Sequence, residues 1–268
     1  MALFPCWIIT LNPEHDHVVY LLKQLRDWGF DPDLFPGVDG RKQMPSLFPD
    51  EQVAQKITRS RHLCELTSSE VGGYLSHLRA IKRAYSQGFE RVCILEDDVR
   101  LEPSFESVVK EVFGLPEKVE MVRLMALKVR KRKIVEYFSN RQHQLVRPER
   151  GWCGGQGYVL NRRGMEKIIK AGSSIFEPID KFYDHFWEYD LRLYGVEPHL
   201  IWEMSRPSNI LKSNVAQSRV SWWLYWLHPF NKLWRSLKRH AYLMQHKSEF
   251  YPAELPQGKP GKTKRMKL

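Results

Sequence analysis

The chain has 268 residues, 43% of them hydrophobic and 27% charged, with a formal net charge of +11. This length and apolar fraction describe a globular chain with a full core and exclude intrinsic disorder. No apolar run reaches the ~20 residues needed to cross a bilayer.

In chain order, "CWIITL" (6–11) reads as a strand ending at Asn12-Pro13, and residues 18–29 as a helix, with Val18, Leu21, Leu22, Leu25 and Trp28 on one face and Gly29 as its stop. Residues 33–40, "DLFPGVDG", form a second extended segment and complete a β-α-β opening. Residues 41–65 are rich in Pro and Arg and read as an irregular surface excursion. Residues 66–88 are the clearest helix: Thr67 and Glu70 have capping-box spacing, Val71, Tyr74, Leu75, Leu78, Ile81 and Tyr85 share a face, and Gly88 ends it. "RVCILEDDVRL" (91–101) follows, a short buried strand ending in three consecutive carboxylates. Residues 121–127 are a further strand, 128–148 a basic hairpin, and 151–172 a Gly-rich turn, a strand and a helix. Cys6, Cys64, Cys93 and Cys153 show no C-x-x-C pairing and read as reduced, mostly buried thiols of a cytosolic protein. The N-terminus has no basic n-region, so no export signal is expected.

Strands alternating with helices make an α/β sheet, in which ligands bind beyond the carboxyl ends of the strands. Glu96, Asp97 and Asp98 lie at such an end, as do Asn12 and Asp39. Adjacent carboxylates repel and resist leaving water, so the cluster needs a positive partner or a special task. Residues i and i+2 of an extended segment point the same way, so Glu96 and Asp98 are placed to share a hard cation such as Mg²⁺ or Mn²⁺. A solvated acidic turn is the alternative.

"IITL…FPGVDG", "LTSSEVGGYLSH", "CILEDDV", "GGQGYVLNRRGMEKI" and "PIDKF" occur in this order, and together they resemble glycosyltransferase family 25, the bacterial lipooligosaccharide and lipopolysaccharide β-glycosyltransferases, which also include collagen galactosyltransferases. The resemblance spans about residues 6–212. It implies an α/β fold of the GT-A type, a Rossmann-like mixed sheet flanked by helices, over a catalytic domain at 1–215. It also implies a UDP-sugar donor, galactose before glucose, a lipid-linked oligosaccharide acceptor, inversion, and a divalent cation, Mn²⁺ in preference to Mg²⁺. Glu96 and Asp98 would hold that cation. Asp180 is the first candidate for the base, with a helix N-cap as its alternative; Glu188 is second, and Asp184 and Asp190 follow. Thr10, Asn12, Asp39, His77 and Asp97 are assigned to the donor pocket. For Asp39 the alternative is a turn former, and for His77, next to Ser76, a buried structural histidine. Gly154, Gly155 and Gly157 are assigned to the acceptor side, or to a plain tight turn. The basic run 128–133 faces either phosphate or solvent. Two departures from the family pattern stand out: "NPEHDH" has no Arg after the first strand, and Gly72-Gly73 replaces Gly-Cys.

Residues 216–268 hold seven Lys and four Arg against two Glu, a net +9 that leaves only +2 for residues 1–215. After Pro229, Phe230, Leu233, Trp234, Leu237, Ala241 and Met244 recur at helical spacing, with Lys232, Arg235, Lys238, Arg239 and His240 opposite and "WWLYWL" (222–227) before them. A basic, Trp-rich helical tail of this kind suits an anionic membrane surface through residues 222–247, and hence a peripheral protein on the inner face of the cytoplasmic membrane. The alternative is a stripe packed on the protein's own core. Two other functions compete. A haloacid-dehalogenase-type phosphatase would need Asp where Glu96 stands. A nucleic-acid binder would use the tail but has no supporting motif, so no nucleic-acid partner is expected.

Overall fold

Residues 6–9 and 92–95 carry only apolar side chains, the composition of strands buried on both faces. The computed structural model, which describes residues 4–128, 130–204 and 221–256, pairs them as neighbouring inner strands with Cys6 opposite Cys93. In chain order the first half comprises β1 (Pro5–Thr10), α1 (Asp16–Asp27), β2 (Asp31–Pro36), β3 (Gln52–Val53), α2 (Gln55–His62), α3 (Ser68–Ser86), β4 (Arg91–Glu96), β5 (Val99–Leu101) and α4 (Phe105–Phe113). Then come β6 (Met121–Arg123), β7 (Arg132–Tyr137), β8 (Gln144–Pro148), β9 (Gly157–Asn161), α5 (Arg162–Gly172), β10 (Ser174–Ile175), α6 (Ile179–Asp184), β11 (Leu193–Glu197), β12 (Ile201–Glu203), α7 (Trp222–Gln245) and α8 (Lys247–Phe250).

Eight strands form one mixed sheet in the order β2-β1-β4-β9-β6-β11-β8-β7. β1 is parallel to β2 and β4, and β6 is parallel to β11; β9 runs antiparallel between β4 and β6. The carboxyl ends of β1, β2, β4, β6 and β11 therefore share one edge. Alternation along the inner strands feeds two cores. Cys6, Ile8, Cys93 and Leu95 pack with α1 and α4, whereas Trp7, Ile9, Val92 and Ile94 pack with α3, α5 and α6.

The expected capping box forms: Thr67 accepts from the Glu70 amide, and Glu70 accepts from the Thr67 amide. The basic hairpin is β7–β8, and it closes the far edge of the sheet. Residues 41–65, expected to be irregular, hold β3 and α2. These short elements exist through partners distant in sequence, the Gln52 and Ala54 amides donating to Ser173 and Ile175. Only Thr58 is buried in α2, so it shows no apolar period. α7 begins at Trp222 and runs through Pro229, where a helix starting after the proline was expected. Its C-terminal end joins the core through Leu243, with Phe250 of α8 beside it. The basic residues Arg219, Lys259, Lys262, Lys264, Arg265 and Lys267 lie outside the described residues, as does the end of the family resemblance at 205–212.

Candidate active site

β4 delivers Glu96 to the common carboxyl edge, and the turn into β5 carries Asp97 and Asp98. Asp97 turns toward β1, where its carboxylate accepts from the Thr10 hydroxyl at 2.5 Å; the Asn12 amide donates to the same hydroxyl oxygen at 3.0 Å. Glu96 is held from the other side. Tyr183 donates to the Tyr158 hydroxyl at 2.9 Å, Tyr158 lies 3.1 Å from His77 Nδ1, and His77 Nε2 lies 3.3 Å from Glu96. This order leaves the Nε2 proton for Glu96. His77 is 3% exposed. It is thus a buried residue whose hydrogen bond ends on a site carboxylate.

Asp98 is half-buried, and its Oδ1, shielded from solvent, has no hydrogen-bond partner among the described residues. Burial, then the charges of Glu96, Glu203 and Asp97, push its carboxyl up to about 7. Glu203 ends β12, which pairs with β5, and burial followed by Glu96 raises it too. Sequence reasoning missed Glu203; its signal was "IWE", a short apolar strand closed by a carboxylate, the pattern of "CILE". Among the described residues no three carboxylate, imidazole or thiol groups are placed to share an ion. A hard cation on one or two carboxylates plus phosphate oxygens needs no third protein ligand. The orphaned Asp98 oxygen and the mutually repelling Glu96, Asp98 and Glu203 fit such a cation.

Asp39 sits on the rim after β2, where Arg41 binds both its oxygens at 2.9 and 2.7 Å. Hydrogen bonding from Arg41 lowers its carboxyl to about 2. The loop carrying it is clamped to α3: Val38 donates to the Ser76 hydroxyl at 2.8 Å. A Cβ on Gly72 would stand 2.6 Å from the Val38 carbonyl, and one on Gly40 would stand 2.0 Å from that of Ser68. Gly72 therefore has a close-packing role.

The glycine-rich loop passes between two acids. Arg123 and the Cys153 amide occupy the two oxygens of Asp184 at 3.0 and 2.9 Å, and burial raises the Asp184 carboxyl. Cys153 and Gly154 both adopt positive φ, which turns the Gly154 amide to within 3.5 Å of Asp180. A Cβ on Gly155 would lie 3.6 Å from Glu96 and 4.0 Å from His77 Nε2, so a larger residue would enter the space beside them. Gly157 lies inside β9 against Ile201 and Leu95. Asp180 is half-buried in the first turn of α6, whose N-cap is Pro178, so Asp180 is not the cap. Among the described residues no ion pair holds it, and the Gly154 amide is its hydrogen-bond partner. Glu188 lies elsewhere, in a bidentate pair with Arg61 at 3.0 and 2.8 Å. Asp190 is held by Tyr242 and Lys167. The fold thus gathers Thr10, His77, Glu96, Asp97, Asp98, Gly155 and Asp180 along one edge and leaves Glu188, Asp190 and Gly157 outside it. Of the basic run, Lys128 and Arg130 face a cavity beside Gly151, whereas Arg132 pairs with Glu197 and Lys133 with the Ser248 carbonyl.

Comparison with known proteins gives this edge a context. The chain is 25% identical over 244 residues to procollagen galactosyltransferase 1 of Danio rerio, covering 73% of this chain and 40% of that protein. It is 25% identical over 228 residues to procollagen galactosyltransferase 2 of Homo sapiens, covering 73% and 34%. It is also 27% identical over 158 residues to a Bos taurus protein named probable inactive glycosyltransferase 25 family member 3, covering 50% and 25%. The chain thus spans less than half the length of each of these relatives. The profile described as Glycosyltransferase family 25 (LPS biosynthesis protein) matches residues 4–183, a narrower stretch than 6–212 at its C-terminal end. That match runs from β1 into α6 and includes both Glu96 and Asp180, and the chain belongs to glycosyltransferase family 25.

Proposed function

We propose that the protein is an inverting glycosyltransferase. It moves a hexose, galactose before glucose, from a UDP-sugar to a lipooligosaccharide or lipopolysaccharide core oligosaccharide. The observation that carries this reading is the pair Glu96 and Asp98 at the end of β4, with the Asp98 oxygen left without a partner inside a family of glycosyltransferases. Glu96 and Asp98 would hold a divalent cation, Mn²⁺ before Mg²⁺. Such an ion, when bound, neutralises the diphosphate that leaves with the nucleotide.

The chain's own residues do the rest. His77 fixes the orientation of Glu96, and Thr10 turns Asp97 away from it and ties it to β1. Asp180, half-exposed beside the glycine loop, takes the proton of the acceptor hydroxyl as the sugar transfers; general-base help of this kind contributes ~10²–10⁴-fold. Gly155, with no side chain of its own beside Glu96 and His77, lets the acceptor approach them. The outward aromatic face of α7 supports a site of action on an anionic membrane surface, where a lipid-linked acceptor is held.

Two substitutions separate the roles. Asp98→Ala should lower transfer by about 10²–10³-fold and abolish the response to added Mn²⁺. Asp180→Asn should lower the transfer rate by at least about 100-fold and leave UDP affinity in Mn²⁺ within twofold or so. Retained transfer in Asp180→Asn contradicts its assignment as base.

A further inference from the structure

A surface helix normally buries its apolar stripe and presents its charges to water. α7 departs from this over residues 222–239. Trp222, Trp226, Phe230, Leu233 and Leu237 are exposed, while Lys232, Arg235 and Arg239 line a cavity of about 630 Å³ beneath the helix. The opposite wall adds Lys128, Arg130 and Arg150, and α2 and α6 supply Arg61 and Lys181. Eight Lys and Arg side chains thus surround this space and one carboxylate, Asp184, faces it. That carboxylate is already engaged by Arg123 and the Cys153 amide. The acids just outside are also committed: Glu188 pairs with Arg61, and Glu177 lies between His62 and His185.

Among the described residues, Arg61 is the one Lys or Arg of this lining held in an ion pair, with Glu188. Buried side-chain nitrogens of Arg235, Arg239 and His228 (Nε, Nε and Nδ1) have no hydrogen-bond partner. Half-buried guanidinium groups without an ion-pair partner are costly, and neighbouring like charges add to that cost. Multivalent phosphate answers both, because each phosphate offers several strong acceptors to Arg and Lys together. The cavity lies apart from the candidate cation site: none of Thr10, Asp39, Glu96 or Asp98 lines it. Gly151 and Cys153 of the glycine loop form its wall, and the next residue of that loop, Gly154, meets Asp180. A ligand seated here by its phosphates presents its sugar hydroxyls across the loop to Asp180.

We propose that this cavity is a phosphate-binding subsite for the acceptor, and that the oligosaccharide receiving the sugar carries at least one phosphate group. The assignment to the acceptor rests on the glycosyltransferase reading; the phosphate site itself is read by binding alone.

The test is calorimetric titration of the full chain with inorganic pyrophosphate in excess EDTA, which removes any contribution from a cation at Glu96 and Asp98. One site is expected. Lys232→Ala/Arg239→Ala should weaken it by about tenfold or more, while Asp98→Ala leaves it unchanged. Glucosamine 6-phosphate should displace pyrophosphate; UDP and phosphatidylglycerol vesicles should not. Unchanged affinity in the α7 variant overturns the site. Displacement by UDP assigns it to the donor, and displacement by the vesicles assigns it to a lipid headgroup; either overturns the acceptor assignment. Should circular dichroism show the α7 variant unfolded, Lys128→Ala/Arg150→Ala on the opposite wall gives the same reading. None of these arms needs turnover, so absence of sugar transfer would count against the reaction and leave the binding result standing.

Discussion

At the level of single residues, partial burial and crowded like charges set the behaviour of the site. Asp98 and Glu203 are raised by burial and by their neighbours, and Glu96 is held by a histidine that two tyrosines hold in turn. His199 shows the same physics away from the carboxylates. It is 6% exposed, its Nδ1 has no hydrogen-bond partner, and its ring meets Trp202 at 4.9 Å. Burial first, then the charge of Arg123, lowers its pKa from 6.5 to about 4. The fold therefore accepts the neutral ring, and the unfolded chain binds the extra proton first. The contribution is complete above pH 6.5 and is lost as pH falls toward 4; its full size is about 3 kcal/mol. His199→Gln should flatten the dependence of Tm on pH between 7 and 4, measured by thermal unfolding at constant ionic strength. An unaltered acid limb would show that His199 does not set it.

At the level of elements, α7 joins the two halves of the account. Its C-terminal end is part of the core, with Leu243 3% exposed and Tyr242 bonded to Asp190 at 2.9 Å. Along its first four turns Trp222, Trp226 and Phe230 are 75, 73 and 69% exposed. The sequence offered two alternatives for the tail, a membrane-facing stripe or one packed on the protein; the C-terminal end of the helix is packed on the core, and the aromatic residues of its first turns are exposed. No helix among the described residues is long and apolar enough to cross a membrane. Binding in the plane of the interface remains the use that fits exposed Trp beside basic residues. Removing the whole segment would strip Leu243 and Phe250 from the core, so point changes are the sounder probe. Trp222→Ser/Trp226→Ser/Phe230→Ser should keep the fold and lose co-sedimentation with anionic vesicles, with wild-type binding weakening as salt rises. Equal sedimentation of both proteins would reject the membrane face.

For the whole molecule, legibility followed sequence distance. Elements with their own periodicity, the helix capped by Thr67 and the buried runs at 6–9 and 92–95, were readable because local pattern and tertiary packing agree. α2, β3 and β12 were not, because elements this short, and in α2 this poor in buried apolar residues, are stabilised by partners far along the chain. The same distance hid parts of the site. Glu96, Asp97 and Asp98 are adjacent in sequence and stood out, whereas Glu203 reaches them only through the β5–β12 pairing. The ion pairs that occupy Glu188 and Asp39 were equally invisible, one spanning residues 61 and 188 and the other set by the geometry of a turn. We propose that this edge of the sheet activates a UDP-sugar with help from a cation on Glu96 and Asp98. Donor hydrolysis by the full chain, measured for each nucleotide sugar with Mn²⁺ and again in excess EDTA, tests it most directly. Slow release of UDP from UDP-galactose, or next from UDP-glucose, is expected; EDTA should stop it, Mn²⁺ should restore it and Asp98→Ala should lack it. Undiminished hydrolysis in EDTA, or no hydrolysis of any UDP-sugar with Mn²⁺ present, would contradict it.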